Sequence, residues 1–490
     1  MKKAGKIITA AVTAVAVVGV SLGVHFGYSN KKFEQNEYKV NTDGKPLSVA
    51  VISDLQLPDS KAKDTHQYTS FEKTMTSIKA KNPDVLIIAG DYTDLATRDA
   101  WSSYKEIYDK VMGNSKQPIV MGIMGNHDYW LPMFVDCWEI PTPAKMQKRM
   151  KKYTGQPLYS HNVVNGYHFI CWSSSDGSYD KSYQNKKHVR AEIDKAVKDD
   201  PTKPVFVISH LNPSDTVYGS DDWGNDDIAD VLKDYPQVVS LSGHSHYSII
   251  DERSIWQGAY TAFTTQSLDY IELEVGKYNG SIPVDAYGNR IAEDVPACLY
   301  MTIDDKAVTV DRLAANSGEE LKEPWVIEAP FDKPSKYTLK ARKADNKAPV
   351  LDKNLTVSTR EIKDTDGKSR TAITFKAGSD DDFVHSYKLR FLNKDKKVLS
   401  FAETEYDGTV IHYNKEGEKI ASDSDEYKNG SEKQINELLY FSDFILGLNN
   451  MSKDTLFRLP PNVPSDAEYV EITAIDSWGA TSNSVVCPLK

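Results

Sequence analysis

The sequence predicts an α/β domain built on a parallel sheet, followed by a small all-β domain. Three observations carry this. Between Leu47 and Met124, short continuously apolar runs alternate with helical patterns, the rhythm that a parallel sheet covered by helices requires. Each run ends in a turn that releases an aspartate, asparagine or histidine. From Ala348 onward, runs of alternating polarity replace them, as in Tyr387-Lys388-Leu389-Arg390-Phe391, the period of antiparallel strands with one buried face.

At 490 residues the chain is too long for one core and calls for two or three domains. Hydrophobic content of 40% and charged content of 26% are those of a globular protein. The net charge of −11 argues against a nucleic-acid-binding surface, which needs a basic patch. Lys2, Lys3 and Lys6 precede an uncharged run from Ile7 to about Val24. This reads as an export signal. Its length also reaches the lower limit for a membrane span, about 18 residues, so a cleaved signal peptide and an uncleaved anchor are both open. Four scattered cysteines, Cys137, Cys171, Cys298 and Cys487, show no CxxC spacing and read as isolated structural thiols. A Cys137–Cys171 pair after export is the other option.

Taken in order, Tyr28 to Pro46 is polar and reads as a tether. Leu47 to Ser53 is a buried first strand. Asp64-Thr65 caps a helix to about Ala80 with Phe71, Met75 and Ile78 on one face, and Pro83 stops it. Val85 to Ala89 is the second strand. A helix over about Arg98 to Met112 leads to the third, Pro118 to Met124. Tyr129 to Gly155, with Pro132, Pro141 and Pro143, breaks the rhythm as an insertion. Tyr159 to Trp172 reads as a hairpin turning at Asn165-Gly166. A helix over about Lys186 to Lys198, a strand Pro204–Ser209, an acidic loop Ser214–Asp227 and a strand Val238–Ser242 follow. Strands Ala259–Phe263, Tyr270–Val275 and Leu299–Ile303 are expected to close a second sheet. Glu323 to Asn346, rich in Pro and Lys, reads as a linker. The final Tyr469–Asp476 run with its turn resembles the last hairpin of a fibronectin type III or related sandwich.

The chemistry lies at the strand ends. Asp54, Asp91, Asn126, His210, His244 and His246 each follow a predicted strand. Singly, such residues cap helices or decorate turns. Together they mix hard oxygens with imidazoles, a set that suits Mn, Fe or Zn. They are too many for one tetrahedral ion. Two ions about 3.5–4 Å apart sharing a carboxylate would use them all. Histidines two apart, as in Gly243-His244-Ser245-His246, can reach neighbouring ions.

The series Asp54, Gly90-Asp91, Gly125-Asn126-His127-Asp128, His210 and Gly243-His244-Ser245-His246 resembles the calcineurin-like metallophosphoesterase superfamily over roughly residues 47 to 310. The resemblance implies a four-layer α/β/β/α sandwich of two mixed sheets with a two-metal site at the sheet edge. It implies that Asp54, Asp91 and His246 hold one ion and that Asp91, Asn126, His210 and His244 hold the other, with Asp91 bridging. His127 would then face substrate as general acid or phosphate ligand, with Asp128 holding its ring. Two divalent ions would lower the pKa of a bridging water, and the hydroxide would attack a phosphomono- or phosphodiester.

One position departs from the family. Asp-x-His is usual at the first strand, and here it is Asp54-Leu55-Gln56. Gln56 can still bind through its amide oxygen, more weakly than imidazole. The resulting map is a targeting segment at 1–30, a tether at 31–46, the metallophosphoesterase domain at 47–312, a linker at 313–346 and the β-sandwich at 347–490. The expected protein is an extracytoplasmic phosphoesterase, secreted or anchored at the outer face of the membrane. The alternative is a non-catalytic surface-binding protein with a degenerate site, for which Gln56 is the one feature in favour. Trp130, Trp138, Trp172 and Trp223 are placed to stack on a substrate or to pack the long loops. The last domain is expected to contact a cell surface or a partner.

Overall fold

The computed structural model describes residues 32–59, 63–132, 135–136, 140–179, 181–272, 274, 296–333, 336–363, 367–405, 408–448 and 451–489. The targeting segment lies outside them. Among the described residues, no helix is long and apolar enough to cross a membrane. Residues 32–272 and 296–342 form one compact unit, and those from Lys343 on form another.

The first unit opens with β1 (Glu34–Tyr38), β2 (Leu47–Ile52), α1 (His66–Lys81), β3 (Val85–Ile88), α2 (Arg98–Met112) and β4 (Ile119–Gly122). Thr65 accepts from Tyr68 N at the start of α1, and Asn82, left-handed at φ 49°, ends it by donating to the carbonyls of Ile78 and Lys79. Both ends thus satisfy backbone groups that a bare helix leaves open. β2, β3 and β4 are parallel neighbours. Next come α3 (Pro143–Thr154), β5 (Tyr159–Val164), β6 (Tyr167–Trp172), α4 (Lys186–Asp199), β7 (Val205–Ser209), α5 (Ser220–Trp223), α6 (Asp226–Leu232) and β8 (Val238–Ser242). β9 (Ile255–Gln257), β10 (Thr261–Thr264), β11 (Ala297–Ile303), β12 (Ala307–Ala314) and β13 (Glu320–Glu328) complete the unit. The β5–β6 turn has both Asn165 and Gly166 at positive φ, 50° and 82°, the type I′ geometry read from the Asn-Gly pair.

Two mixed sheets result, ordered β1-β5-β6-β7-β8-β10-β9 and β13-β12-β11-β2-β3-β4. Val49, Ile87 and Met121 from one meet Phe169, Phe206 and Leu241 from the other in a shared core. The outer face of the second sheet packs Ile52 and Ile88 against Phe71, Met75 and Trp101 of α1 and α2. The outer face of the first packs Ile170 and Val207 against Val189, Ile193 and Val231 of α4 and α6. Four layers, α/β/β/α, are therefore present.

Three expectations need correction. The tether contains β1, which pairs in parallel with β5; its sequence, Glu-Gln-Asn-Glu-Tyr, is too polar to read as a strand. Tyr270–Glu272 is not a strand, and residues 273 and 275 of that expected run lie outside the described residues. The linker contains β13, antiparallel to β12, so the first unit runs past Leu313. β13 is fastened at Trp325, whose Nε1 donates to Glu252 Oε2 at 3.2 Å. Glu252 also binds Arg312 at 2.9 Å, Lys322 at 3.1 Å and Arg342 at 2.6 Å. One buried carboxylate thus joins the segment after β8 to β12, β13 and the chain beyond.

The second unit is all-β. One antiparallel sheet joins Ser358–Lys363, Ser369–Lys376 and Asp454–Arg458. A second joins Leu438–Phe441, Ser386–Leu392, Tyr469–Ile475 and Val485–Pro488. Ile373, Phe375 and Phe457 share a core with Tyr387, Leu389 and Ile472, as in a sandwich. Cys171, Cys298 and Cys487 are buried free thiols; Cys137 lies outside the described residues.

Candidate metal centre

The carboxyl ends of β2, β3 and β4 in one sheet and of β7 and β8 in the other converge on one point, where α/β sheets gather ligands. Asp54, Asp91, Asn126, His210 and His246 are all buried there. His210 Nε2 lies 3.0 Å from Asp91 Oδ2, 3.1 Å from Asn126 Oδ1 and 3.8 Å from Asp54 Oδ1. His246 Nε2 is 3.1 Å from Asp54 Oδ1. Gln56 joins this corner, its side-chain nitrogen 3.4 Å from His246 Nε2. Rotating the amide by half a turn presents its oxygen instead.

The backbone is bent hard to achieve this. Asp54, Gln56, Asp91, His244 and His246 all have positive φ, between 42° and 69°. Such a conformation costs a non-glycine residue roughly 1–2 kcal/mol, and it collects at functional sites. Cross-links hold the bends: Asp54 N donates to Gly90 O at 3.1 Å, and Gly243 N to His210 O at 3.0 Å. Two glycines leave room. A Cβ on Gly125 would strike the Asp91 carboxylate, and one on Gly243 would strike Ser53 Oγ and Asp54 Oδ2.

Charge is crowded here. Burial opposes ionisation of Asp54, but His246 and His210 outweigh it and lower its pKa. Burial likewise opposes a charged His210, yet Asp91 and Asp54 raise its pKa to about 9. His244 is pushed well below its ordinary value by burial and then by His210. Protonated imidazole is thus the counter-charge for the carboxylates when no cation is present.

The donor set fits metal ions. Asp91, His210 and His244 offer ligand atoms that all lie within 4.8 Å of one another. Asp91 Oδ2 and His244 Nε2 are buried without a hydrogen-bond partner, the His210 ring standing 3.0 Å from Asp91 Oδ2 as its ion-pair partner. Buried polar atoms without partners are costly, and a cation satisfies both.

His127 stands beside the cluster with its side chain 20% exposed. Its backbone N donates to Asp91 Oδ1 at 2.9 Å, and its Nδ1 lies 2.8 Å from Asp94 O. Burial lowers its pKa, but Asp91 and the hydrogen bonds to Asp94 raise it to about 9. Asp128 does not hold this ring, contrary to expectation. Its oxygens accept from Thr93 N and Oγ1, at 3.2 and 3.1 Å, and from Gly125 N at 3.1 Å. The carboxylate thus braces the two loops that carry Asp91 and Asn126. Asp94, which sequence reasoning passed over, is the partner of His127; its place three residues after Asp91 was the available signal. Of the tryptophans, Trp172 is fully buried against Tyr183 and packs the core. Trp130 and Trp223 are partly exposed, and Trp138 lies outside the described residues.

Residues 47–248 match the family model of the calcineurin-like phosphoesterases. Among solved structures, the chain is similar to the purple acid phosphatase of yellow lupin (Lupinus luteus) seeds, at 11% identity and a TM-score of 0.40. That match covers 60% of this chain and spans 56% of the lupin chain. It is also similar to a protein of Streptococcus pneumoniae described as a predicted phosphoesterase, at 11% identity and a TM-score of 0.26, covering 58% of this chain and 97% of the other. No curated protein sequence matches the chain.

Proposed function

Because residues 47–248 form a calcineurin-like phosphoesterase domain, we propose that this protein is an extracytoplasmic two-metal hydrolase of phosphate mono- or diesters. The observation that carries the reading is the convergence of Asp91 Oδ2 and His244 Nε2, buried without hydrogen-bond partners, with four further oxygen and imidazole donors. Asp54, Asp91 and His246, with Gln56 beside them, would hold one ion, and Asp91, Asn126, His210 and His244 the other. When bound, two divalent ions would polarise a phosphoryl oxygen and lower the pKa of water at the site. The lysine-flanked apolar run of residues 2–24 supports an extracytoplasmic place.

The chain's own residues supply the rest. Nδ1 of His127 is engaged by Asp94, so Nε2 is the ring nitrogen left to serve substrate. A proton held there can bond a phosphoryl oxygen or pass to the leaving alkoxide. Asp128 keeps the loops bearing Asp91 and His127 in register. Burial of the carboxylates excludes water from the ligand side of the site and strengthens each electrostatic contact.

The test is hydrolysis of bis-p-nitrophenyl phosphate and p-nitrophenyl phosphate, with added manganese and after chelation. Metal-dependent turnover on either is expected, and the ratio tells diesterase from monoesterase. Metal binding without turnover would replace this reading with that of a surface-binding protein whose site is degenerate at Gln56.

A further inference from the structure

Away from the metal centre, four polar side chains stand in line between α4 and the sheet. Glu192 Oε2 lies 2.8 Å from His161 Nδ1, and His161 Nε2 lies 2.8 Å from His168 Nδ1. His168 Nε2 lies 3.1 Å from Asp199 Oδ2. Glu192, His161 and His168 are buried, and Asp199 ends the line at the surface. His168 is level with Val205 at the start of β7, so the line sits at the opposite end of that strand from His210. It also reaches β1. Gln35 is the register partner of His161 across the β1–β5 ladder, and its Nε2 donates to the same Glu192 Oε2 at 3.1 Å. β1 lies at the margin of its sheet and is laddered to β5 alone.

The charge of the line follows from its hydrogens. Carboxylates only accept, so His161 Nδ1 and His168 Nε2 each carry a hydrogen. The two nitrogens that meet in the middle share one more. Three hydrogens on two rings make one imidazole and one imidazolium. A fourth sets N–H against N–H at 2.8 Å, with two cations in contact. Burial lowers the pKa of His161, and Glu192 offsets this only in part, so the fourth hydrogen is resisted near neutral pH. Burial opposes ionisation of Glu192, but Lys195, His161 and Gln35 outweigh it and lower its pKa. The remaining charged groups nearby are already paired. Lys195 binds Glu192 Oε1 at 2.7 Å, Lys203 faces Asp305 and the Tyr167 ring, and Glu34 and Glu37 of β1 pair with Lys151 and Lys39.

We propose that the His161–His168 pair is an acid-sensitive latch for β1, in which a second charge drives the rings apart and loosens the strand. Glu192 Oε2 is shared by His161 and Gln35, so a charged His161 draws the carboxylate away from the amide. β5, which carries the displaced ring, holds the only ladder β1 has. The folded pKa of His161 lies below its ordinary 6.5. The hold on β1 is therefore complete above pH 6.5 and is lost as pH falls through the folded value. The latch depends on neither metal nor substrate.

The experiment is hydrogen–deuterium exchange of the full chain, corrected for the intrinsic effect of pH. Peptides covering β1 are followed against β3 as an internal reference. Between about pH 8 and about pH 5, where imidazole changes charge, protection of β1 relative to β3 is expected to fall about tenfold. His161→Gln and His168→Gln each leave a single ring, so the conflict between two charged rings cannot arise. Both should keep the ratio constant over that span. The readout is a change with pH within one protein, so a shift in a variant's basal stability does not imitate it. Should neither variant fold, spectra of ¹⁵N-labelled histidine decide in the wild type: both rings charged at the acid end supports the latch, and one still neutral overturns it. A constant ratio in the wild type overturns the inference, as does a fall that persists in both variants. Equal loss of protection in β1 and β3 marks global acid unfolding and overturns it too.

Discussion

The Nδ1 of His127 lies 2.8 Å from the carbonyl oxygen of Asp94 and 3.3 Å from its carboxylate. A carbonyl can only accept, so Nδ1 carries a hydrogen and the tautomer is fixed. Asp94 is 33 residues earlier in the chain, yet it reaches the ring from the turn that also delivers Asp91.

Replacing His127 by Ala is expected to cut turnover about 10²–10⁴-fold while metal content stays near wild type. Asp94→Ala keeps the backbone acceptor and loses only the carboxylate, so a smaller fall of roughly tenfold is expected, in kcat rather than KM. Steady-state kinetics with metal analysis of each variant checks both; loss of metal from His127→Ala would remove it from the role assigned here.

Asp128→Asn should behave differently. Its carboxylate accepts three hydrogen bonds, from Thr93 and Gly125, and an amide would turn an NH₂ group toward at least one donor. A stability loss of about 1–3 kcal/mol is expected, together with weaker metal retention, seen by denaturant melts and metal titration. Unchanged stability would mean that the two loops hold without it.

Gln56→His should tighten the first metal position. The side chain already lies 3.4 Å from His246 Nε2, and imidazole is the better transition-metal donor. About a tenfold gain in manganese or zinc affinity is expected, equal to 1.4 kcal/mol, and calorimetric titration measures it.

Chelated protein should lose stability as pH rises. His210 has a folded pKa of about 9, above its ordinary 6.5. Its stabilising charge is therefore complete below pH 6.5 and is lost as pH climbs through 9. A bound ion needs the ring neutral, so the stabilisation given by manganese should grow over the same interval. Thermal melts of chelated and manganese-loaded protein across that range test both trends.

Much of the site was legible because buried parallel strands are written as unbroken apolar runs, so the polar residue after each run stands out. Asp54, Asp91, Asn126, His210 and His246 were found this way. The His127–Asp94 pairing was not, because Asp128 is adjacent in sequence and only the fold shows it turned toward Thr93 and Gly125. Trp172 looked like a loop-edge residue, since a hairpin pattern does not reveal which strand ends in the centre of a sheet. β13 was hidden by Pro324 and its acidic and basic neighbours, which mimic a linker although Trp325 and Ile327 point inward.

The Glu252 cluster predicts acid sensitivity. Burial raises the carboxyl's pKa, but Arg312, Lys322 and Arg342 outweigh it and lower the pKa from 4.5 to about 2. With the side chain 13% exposed, the contribution is on the order of 3 kcal/mol. It is fully present above pH 4.5 and disappears as pH falls toward 2. Glu252→Gln should flatten that limb of the stability curve while lowering stability at neutral pH; an unchanged limb would show that other carboxylates govern it.

The short strand β1 bears on how the protein can be produced. Its Gln35 bonds Glu192 at 3.1 Å, and Phe33 stacks on Tyr159 at 5.4 Å. A recombinant product trimmed to begin at Leu47 would strip these partners away and bare the main-chain groups of β5 along the sheet's margin. Such margins recruit other chains, so a soluble preparation should start ahead of Phe33.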